Sequence, residues 1–211
     1  MATVADTLLG DLAEYWPRVV YHPFCHAAAE GTLEPAAFER WMIADYVFNN
    51  EYRRFIAGLM TMSPGSADVE VLSRFIPSVN NDTDLTVRTA RYEGIDLDVL
   101  PGPTTIGFVS YLQALLADGY QVALSAFYVC QEVYFEGWAA VRAKAAVKKD
   151  RYWPFIDAWS SDHYADATAS LARLVNRAAP AGPTEGMRIA ARRVIRYELL
   201  FWTSIFVGET W

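Results

Sequence analysis

Three polar side chains stand out because each interrupts an apolar, aromatic-rich stretch. Cys130 lies in ALSAFYVCQEVYFEGW, residues 123–138, Asp45 in WMIADYVFNNEYRRF and Glu198 in RVIRYELLFWTSIF. If the first stretch is a helix, Phe127, Cys130 and Tyr134 fall at i−3, i and i+4 and share a face. Phe48 and Tyr52 follow Asp45 at i+3 and i+7, and Phe201 and Trp202 follow Glu198 at i+3 and i+4. A carboxylate inside an apolar helix must be paired, hydrogen-bonded or functional. Each residue alone has a bland explanation. A free cysteine often only packs, Asp45 could pair with Arg40, and Glu198 with Arg193 or Arg196. Taken together, three helices each bring a different polar group flanked by aromatics. Such helices can enclose one pocket, which is where bundles put their sites.

The chemistry of that set is specific. Carboxylates accept hydrogen bonds from ring N–H groups and exocyclic amines, and aromatic rings stack on a flat ligand. A buried carboxyl holds its proton more tightly and can act as a general acid. A thiolate can add to an electron-poor heterocycle. The expected ligand is small, flat and rich in nitrogen. Metal and haem readings fare worse. His22 and His26 are four apart but span Pro23 at a helix start, and the Glu-x-x-His pattern of helical di-iron sites is missing. No Gly-rich phosphate loop and no Gly-x-Ser-x-Gly elbow occur. No metal or cofactor is expected.

Helical periodicity dominates the chain, and strand alternation is nearly absent. The pattern predicts helices over about 4–20, 23–30, 35–62, 66–92, 104–117, 120–146, 152–178 and 185–206. Gly31 and Gly94 close two of them, a kink is expected at Pro77, and an interruption near Ser160-Ser161. The fold class is all-α: a single-domain bundle of seven to eight helices over residues 1–211.

Composition sets the remaining bounds. With 211 residues, 53% hydrophobic and 14% aromatic, the chain can bury a large core. Net charge is −7, and the basic clusters at 144–151 and 188–196 read as helix ends or solvated faces, so no nucleic-acid partner is expected. Two cysteines do not make a disulfide framework. The start, MATVADTLLGDLAEYW, lacks the layout of a signal peptide, and no run approaches ~18 uninterrupted apolar residues. The expectation is a cytoplasmic protein with no membrane partner.

Five motifs resemble those of the TenA/thiaminase II family, which has the haem-oxygenase-like all-α fold. They are HPFCHAAAEGTL (22–33), ADYVF (44–48), PTTIGFVSYL (103–112), ALSAFYVCQEVYFE (123–136) and RYELLFW (196–202). The similarity runs from about Trp16 to Phe206. It implies hydrolysis of an aminomethyl-aminopyrimidine to its hydroxymethyl form, which salvages thiamin breakdown products; some members also cleave thiamin. By resemblance, Cys130 is the nucleophile and Glu198 the acid that exchanges a proton with the ring. Asp45 holds the pyrimidine amine, Tyr134 contacts the substrate, and Phe201 is a pocket aromatic. A homotetramer is implied too, and Trp41 and Trp153 are read as exposed aromatics compatible with it.

Three departures accompany the resemblance. Family tyrosines fall here at Phe48, Phe108 and Trp159, so three hydroxyls are missing. The one at Phe48 would have hydrogen-bonded the cysteine, and a thiol in a more apolar pocket has a raised pKa. Gln131 is expected to point away from the pocket and so not to replace them. Three readings follow: an aminopyrimidine aminohydrolase, a relative repurposed for another heterocycle, and a non-catalytic ligand-binding protein.

Overall fold

The computed structural model describes residues 2–145 and 152–211, and every regular element among them is helical. All eight expected segments are present. Three of them are each broken in two, which gives eleven α-helices among the described residues.

The breaks have local causes. The first segment divides into α1 (Val4–Gly10) and α2 (Trp16–Val20). Pro17 sits in the first turn of α2, where its missing N–H is harmless; inside a continuous helix its ring would clash with the preceding turn. After α3 (Pro23–Glu30) and α4 (Pro35–Met62), the fourth segment divides at Arg74 into α5 (Ser66–Ser73) and α6 (Phe75–Glu93). Pro77 therefore lies in the first turn of α6, and the expected kink is a break just upstream. α7 (Pro103–Leu115) and α8 (Tyr120–Lys144) follow. α9 (Trp153–Trp159) and α10 (Asp162–Ala178) meet at the expected interruption, where the Ser161 hydroxyl caps α10 by accepting from Tyr164 N. α11 (Glu185–Val207) ends the bundle. Gly31 and Gly94 close α3 and α6 in the left-handed region, with φ of 68° and 74°. The expected end of the α8 segment at residue 146, and the basic cluster beyond Ala145, lie outside the described residues.

α8 is the central rod. From Ala123 to Gln131 every side chain is buried, as expected of a helix apolar on all sides. It packs most heavily on α11 and α10, and also on α2, α3 and α9. α4, α7 and α11 close against one another beside it. Trp41 is not exposed as the sequence suggested. It is fully buried, with Phe155 at 4.9 Å, Phe38 at 5.5 Å and Trp138 at 5.6 Å, while Trp153 is half-buried. Arg40 donates to the carbonyls of Ile205 and Phe206, both at 2.8 Å, and so caps the C-terminal end of α11. The basic run on α11 is a solvated face whose arginines lie against Asp11, Glu185, Tyr111 and Tyr15. Among the described residues, no helix is long and apolar enough to cross a membrane.

Candidate functional site

Five helices converge on one small cavity. α4 contributes Asp45, Phe48, Asn49 and Tyr52, α8 contributes Cys130, Gln131 and Tyr134, and α11 contributes Glu198 and Phe201. α7 adds Phe108, and Trp159 at the end of α9 closes the wall. All eight residues singled out in the sequence therefore meet in one place. No cationic side chain is among the described residues that line it.

The polar groups form three connected clusters. In the first, the Cys130 thiol donates to Glu198 Oε1 at 3.0 Å. Both residues are buried, at 3% and 2% exposure. Burial pushes the Glu198 carboxyl up to about 8; the thiol's hydrogen bond opposes this, and the Asp45 charge adds to it. Burial, and then the Glu198 charge, raise the Cys130 thiol well above its usual range. Neither carboxylate pairs with the arginines that the sequence offered. Arg40 is committed to the α11 cap, Arg193 lies over Tyr111 and Arg196 over Tyr15.

The second cluster surrounds Asp45. Its Oδ1 accepts from the Tyr134 hydroxyl at 3.1 Å and its Oδ2 from the Asn49 amide at 2.8 Å. The same amide nitrogen donates to Asp82 Oδ2 at 2.6 Å, and Trp159 Nε1 donates to Asp82 Oδ1 at 2.7 Å. Burial, then the neighbouring Asp45 charge, push Asp82 well above the carboxylate range, so Asp82 carries the proton. Burial raises Asp45 as well, but hydrogen bonds from Asp82, Tyr134 and Asn49 oppose the rise. Asp45 is thus the acceptor of the pair, held in place by three donors. Asp82 escaped the sequence reading because it sits in the polar run NNDTD. Its signal was the buried face of α6, where Phe75, Val79, Asp82, Thr86 and Ala90 recur at helical spacing.

The third cluster corrects one expectation. Gln131 lines the pocket instead of pointing away, because α8 is surrounded by other helices and has no solvent side there. It donates to the Tyr52 hydroxyl oxygen at 2.8 Å and accepts from the Tyr164 hydroxyl at 2.6 Å. Burial dominates the raised proton affinity of the Cys130 thiol, and the Tyr52 hydroxyl, one turn after Phe48 in the same pocket, opposes it.

Aromatic rings frame these groups. Tyr134 stacks on Trp202 at 5.6 Å and meets Trp159 edge-on at 5.0 Å. Phe48 packs between Tyr52 at 5.0 Å and Phe108 at 5.1 Å, with Phe201 at 6.0 Å. Of the histidines near the entrance to α3, His22 caps that helix by accepting from Phe24 N, and His26 pairs with Glu30 at the surface. Among the described residues, no three His, Cys, Asp or Glu side chains are grouped so as to hold a metal ion.

Comparison with known proteins places this arrangement among relatives. The sequence profile of the TENA/THI-4/PQQC family matches residues 10–206. A probable bifunctional TENA-E protein of Glycine max is 24% identical over 191 residues, covering 86% of this chain and 83% of that protein. An aminopyrimidine aminohydrolase of Halalkalibacterium halodurans is 24% identical over 207 residues, covering 93% of this chain and 88% of that protein. The solved structure of a TenA homologue from Pyrococcus furiosus superposes with a TM-score of 0.91 at 24% identity, covering 96% of this chain and all of that one. At that identity the superposition speaks to the fold alone.

Proposed function

This chain belongs to the TENA/THI-4/PQQC family, and from that premise we propose that it is an aminopyrimidine aminohydrolase. The substrate would be an aminomethyl-aminopyrimidine, and the products its hydroxymethyl form and ammonia. One observation carries the reading: a thiol in contact with a carboxyl that keeps its proton near neutrality, in a pocket with one further carboxyl group, Asp45. A pocket lined by two buried carboxyls and no cation among its described lining favours an occupant that brings N–H donors. The named activity of the Halalkalibacterium halodurans relative supports the same substrate class.

The proposed roles follow from the contacts. Asp45, held as an acceptor by Tyr134, Asn49 and Asp82, receives the ring's amino group. Tyr134, Trp159, Phe48, Phe108 and Phe201 hold the ring plane. Glu198 delivers its own proton to the ring nitrogen that receives the displaced electron pair, and takes the thiol proton in its place as Cys130 Sγ bonds to an electron-poor ring carbon. The electron-rich adduct expels the amine as ammonia, leaving an exocyclic methylene. Water adds there, and loss of the thiol restores the aromatic ring. The balance is R–CH2–NH2 plus water giving R–CH2–OH plus ammonia.

A second reading is favoured by the wall formed by Phe48 and Phe108, which offers no polar group. The site would then take a ring that is apolar on that side. Self-association belongs to the proposal as well, as a homotetramer. It is supported by exposed Leu100, Val207 and Trp211, at 67%, 69% and 72% exposure; sedimentation at micromolar concentration tests it. For the activity itself, the purified protein is incubated with the aminomethyl-aminopyrimidine and ammonia is assayed, with Cys130→Ala beside it. Release that depends on Cys130 supports the hydrolase. Binding without release moves the assignment to another heterocycle.

A further inference from the structure

We infer that the groove between α6 and the α9–α10 junction is the mouth of the buried pocket, and that Trp159 is the gate that decides what passes. Only the consequence for substrate choice rests on the hydrolase reading; the access of small molecules to Cys130 does not. Of the residues that line the pocket, only Phe48 and Tyr134 are more than 5% exposed. A ligand therefore reaches Cys130 when part of the wall moves. Most of that wall is fixed. The lining residues of α4, α7, α8 and α11 belong to helices of 28, 13, 25 and 23 residues. Trp159 is instead the last residue of the seven-residue α9, and the helical path is interrupted at Ser160 and Ser161 before α10 begins.

Behind Trp159 lies the groove. Asp82, Trp159 and Tyr164, all buried, make its floor, and the exposed Arg88, Ala158 and His163 stand at its rim. One indole thus lines both the groove and the pocket and separates them. A single hydrogen bond holds it, from Nε1 to Asp82 Oδ1 at 2.7 Å, with edge-on ring contacts to Tyr134 and Tyr164, both at 5.0 Å. Phe155 and Ile156 anchor α9 in the core, so the gate opens by a turn of the indole and the last residues of the helix. Asp82 also accepts from the Asn49 amide, which donates to Asp45. The closed indole and the ligand's place on Asp45 therefore share one hydrogen-bond network.

The test needs no substrate. N-ethylmaleimide and N-phenylmaleimide add to a thiolate by the same chemistry but differ in width, so their rate ratio at Cys130, divided by the ratio at glutathione, cancels the thiolate fraction and reads access. Mass spectrometry assigns the modified peptides. Cys25, buried in a different cavity between α3 and α8, reports any general loosening. On this corrected scale the wild-type protein should admit the phenyl reagent at least ~10-fold more slowly, and Trp159→Ala should bring the two reagents within ~3-fold while Cys25 stays unchanged. Leu85→Trp and Ala158→Trp fill the groove from outside the pocket and should slow both reagents at Cys130 by ~5-fold or more. Ala158 is exposed, so that variant decides the matter if Trp159→Ala does not fold. Four results overturn the gate: an unchanged ratio in Trp159→Ala, a rise there that Cys25 matches, wild-type Cys130 rates in the groove-filling variants, or an equal effect from Phe48→Ala on the other half-buried wall. Ammonia release is scored separately. Release with labelling that ignores the groove removes the gate and leaves the hydrolase, and labelling that obeys the gate without release does the reverse.

Discussion

The Cys130 thiol and the Glu198 carboxyl are in contact at 3.0 Å although they are 68 residues apart on different helices. Burial has raised the proton affinity of both, so the pair holds its protons at neutral pH and releases them only when a ligand supplies the driving force. Cys130→Ala and Glu198→Gln should therefore each abolish ammonia release. Glu198→Gln keeps the volume but cannot move a proton, and a loss of at least ~10²-fold in kcat is expected. Wild-type rates in both variants would sink the mechanism.

The raised Glu198 carboxyl also sets a pH dependence of stability. Its ordinary value is 4.5 and its folded value about 8. Between those limits the folded state binds more protons than the unfolded state, so stability falls as pH rises, by up to about 1.4 kcal/mol per pH unit, and levels off above the folded value. Glu132, raised to about 7 by burial and then by Glu136, acts with the same sign. Urea unfolding at pH 5, 6, 7 and 8 should show this decline. Glu198→Gln should make it shallower, leaving the part due to Glu132 that ends near pH 7 and the parts due to Asp82 and Asp45, which burial also raises. A profile of equal slope in the variant would mean that the carboxyl is not held neutral in the fold.

How far this site could be read in advance depended on where each residue's information lies. Cys130, Asp45 and Glu198 were legible because each is a polar break in an apolar helical stripe, and the stripe itself fixed the all-α fold. Pro17 and Pro77 were visible, but whether a proline kinks a helix or starts a new one depends on which residues upstream can end the previous turn. Trp41 was misplaced because it neighbours Glu39 and Arg40, and only the tertiary packing of α4 on α8 and α9 shows that its face is enclosed. Gln131 was misplaced for a related reason: pointing away from the pocket supposes a helix with a free side, and α8 has none over that stretch. Tyr52 was noted on the Asp45 face, but its place in the same pocket as the thiol depends on how α4 packs beside α8, which spacing along one chain does not contain.

Tyr52 lies one turn after Phe48, packs against it at 5.0 Å, and carries a hydroxyl that opposes the effect of burial on the Cys130 thiol. Tyr52→Phe should lower kcat by about ten- to a hundredfold if that hydroxyl serves the anionic sulfur. Phe48→Tyr in the Tyr52→Phe background should recover part of that loss, and in the wild-type background should change kcat by less than tenfold. Steady-state ammonia release on the four proteins measures this. A large gain from Phe48→Tyr in the wild-type background would mean that Tyr52 does not serve the thiol and that the Phe48 hydroxyl is the limiting loss.

Asp82 reaches the ligand only through others. It receives the Trp159 indole at 2.7 Å and the Asn49 amide at 2.6 Å, and its proton supports Asp45. Since it is held neutral by burial beside the Asp45 charge, an asparagine reproduces its shape and its donor but keeps only one of its two accepting oxygens, so one of the bonds from Trp159 and Asn49 is lost. Asp82→Asn should cost about 1–2 kcal/mol of stability and keep KM within about tenfold. Asp82→Ala removes the acceptor and leaves two buried donors unpaired, at about 1–3 kcal/mol each, and it also frees Asn49 and Trp159 to move. The alanine variant should unfold at lower urea and raise KM more than it lowers kcat, because it disturbs the Asp45 end of the pocket and leaves the Cys130–Glu198 contact alone. If Asp82→Asn were as damaging as Asp82→Ala, Asp82 would have to be ionised in the folded protein. Asp45 would then hold the proton, and the ligand's amino group would meet a donor where an acceptor is required.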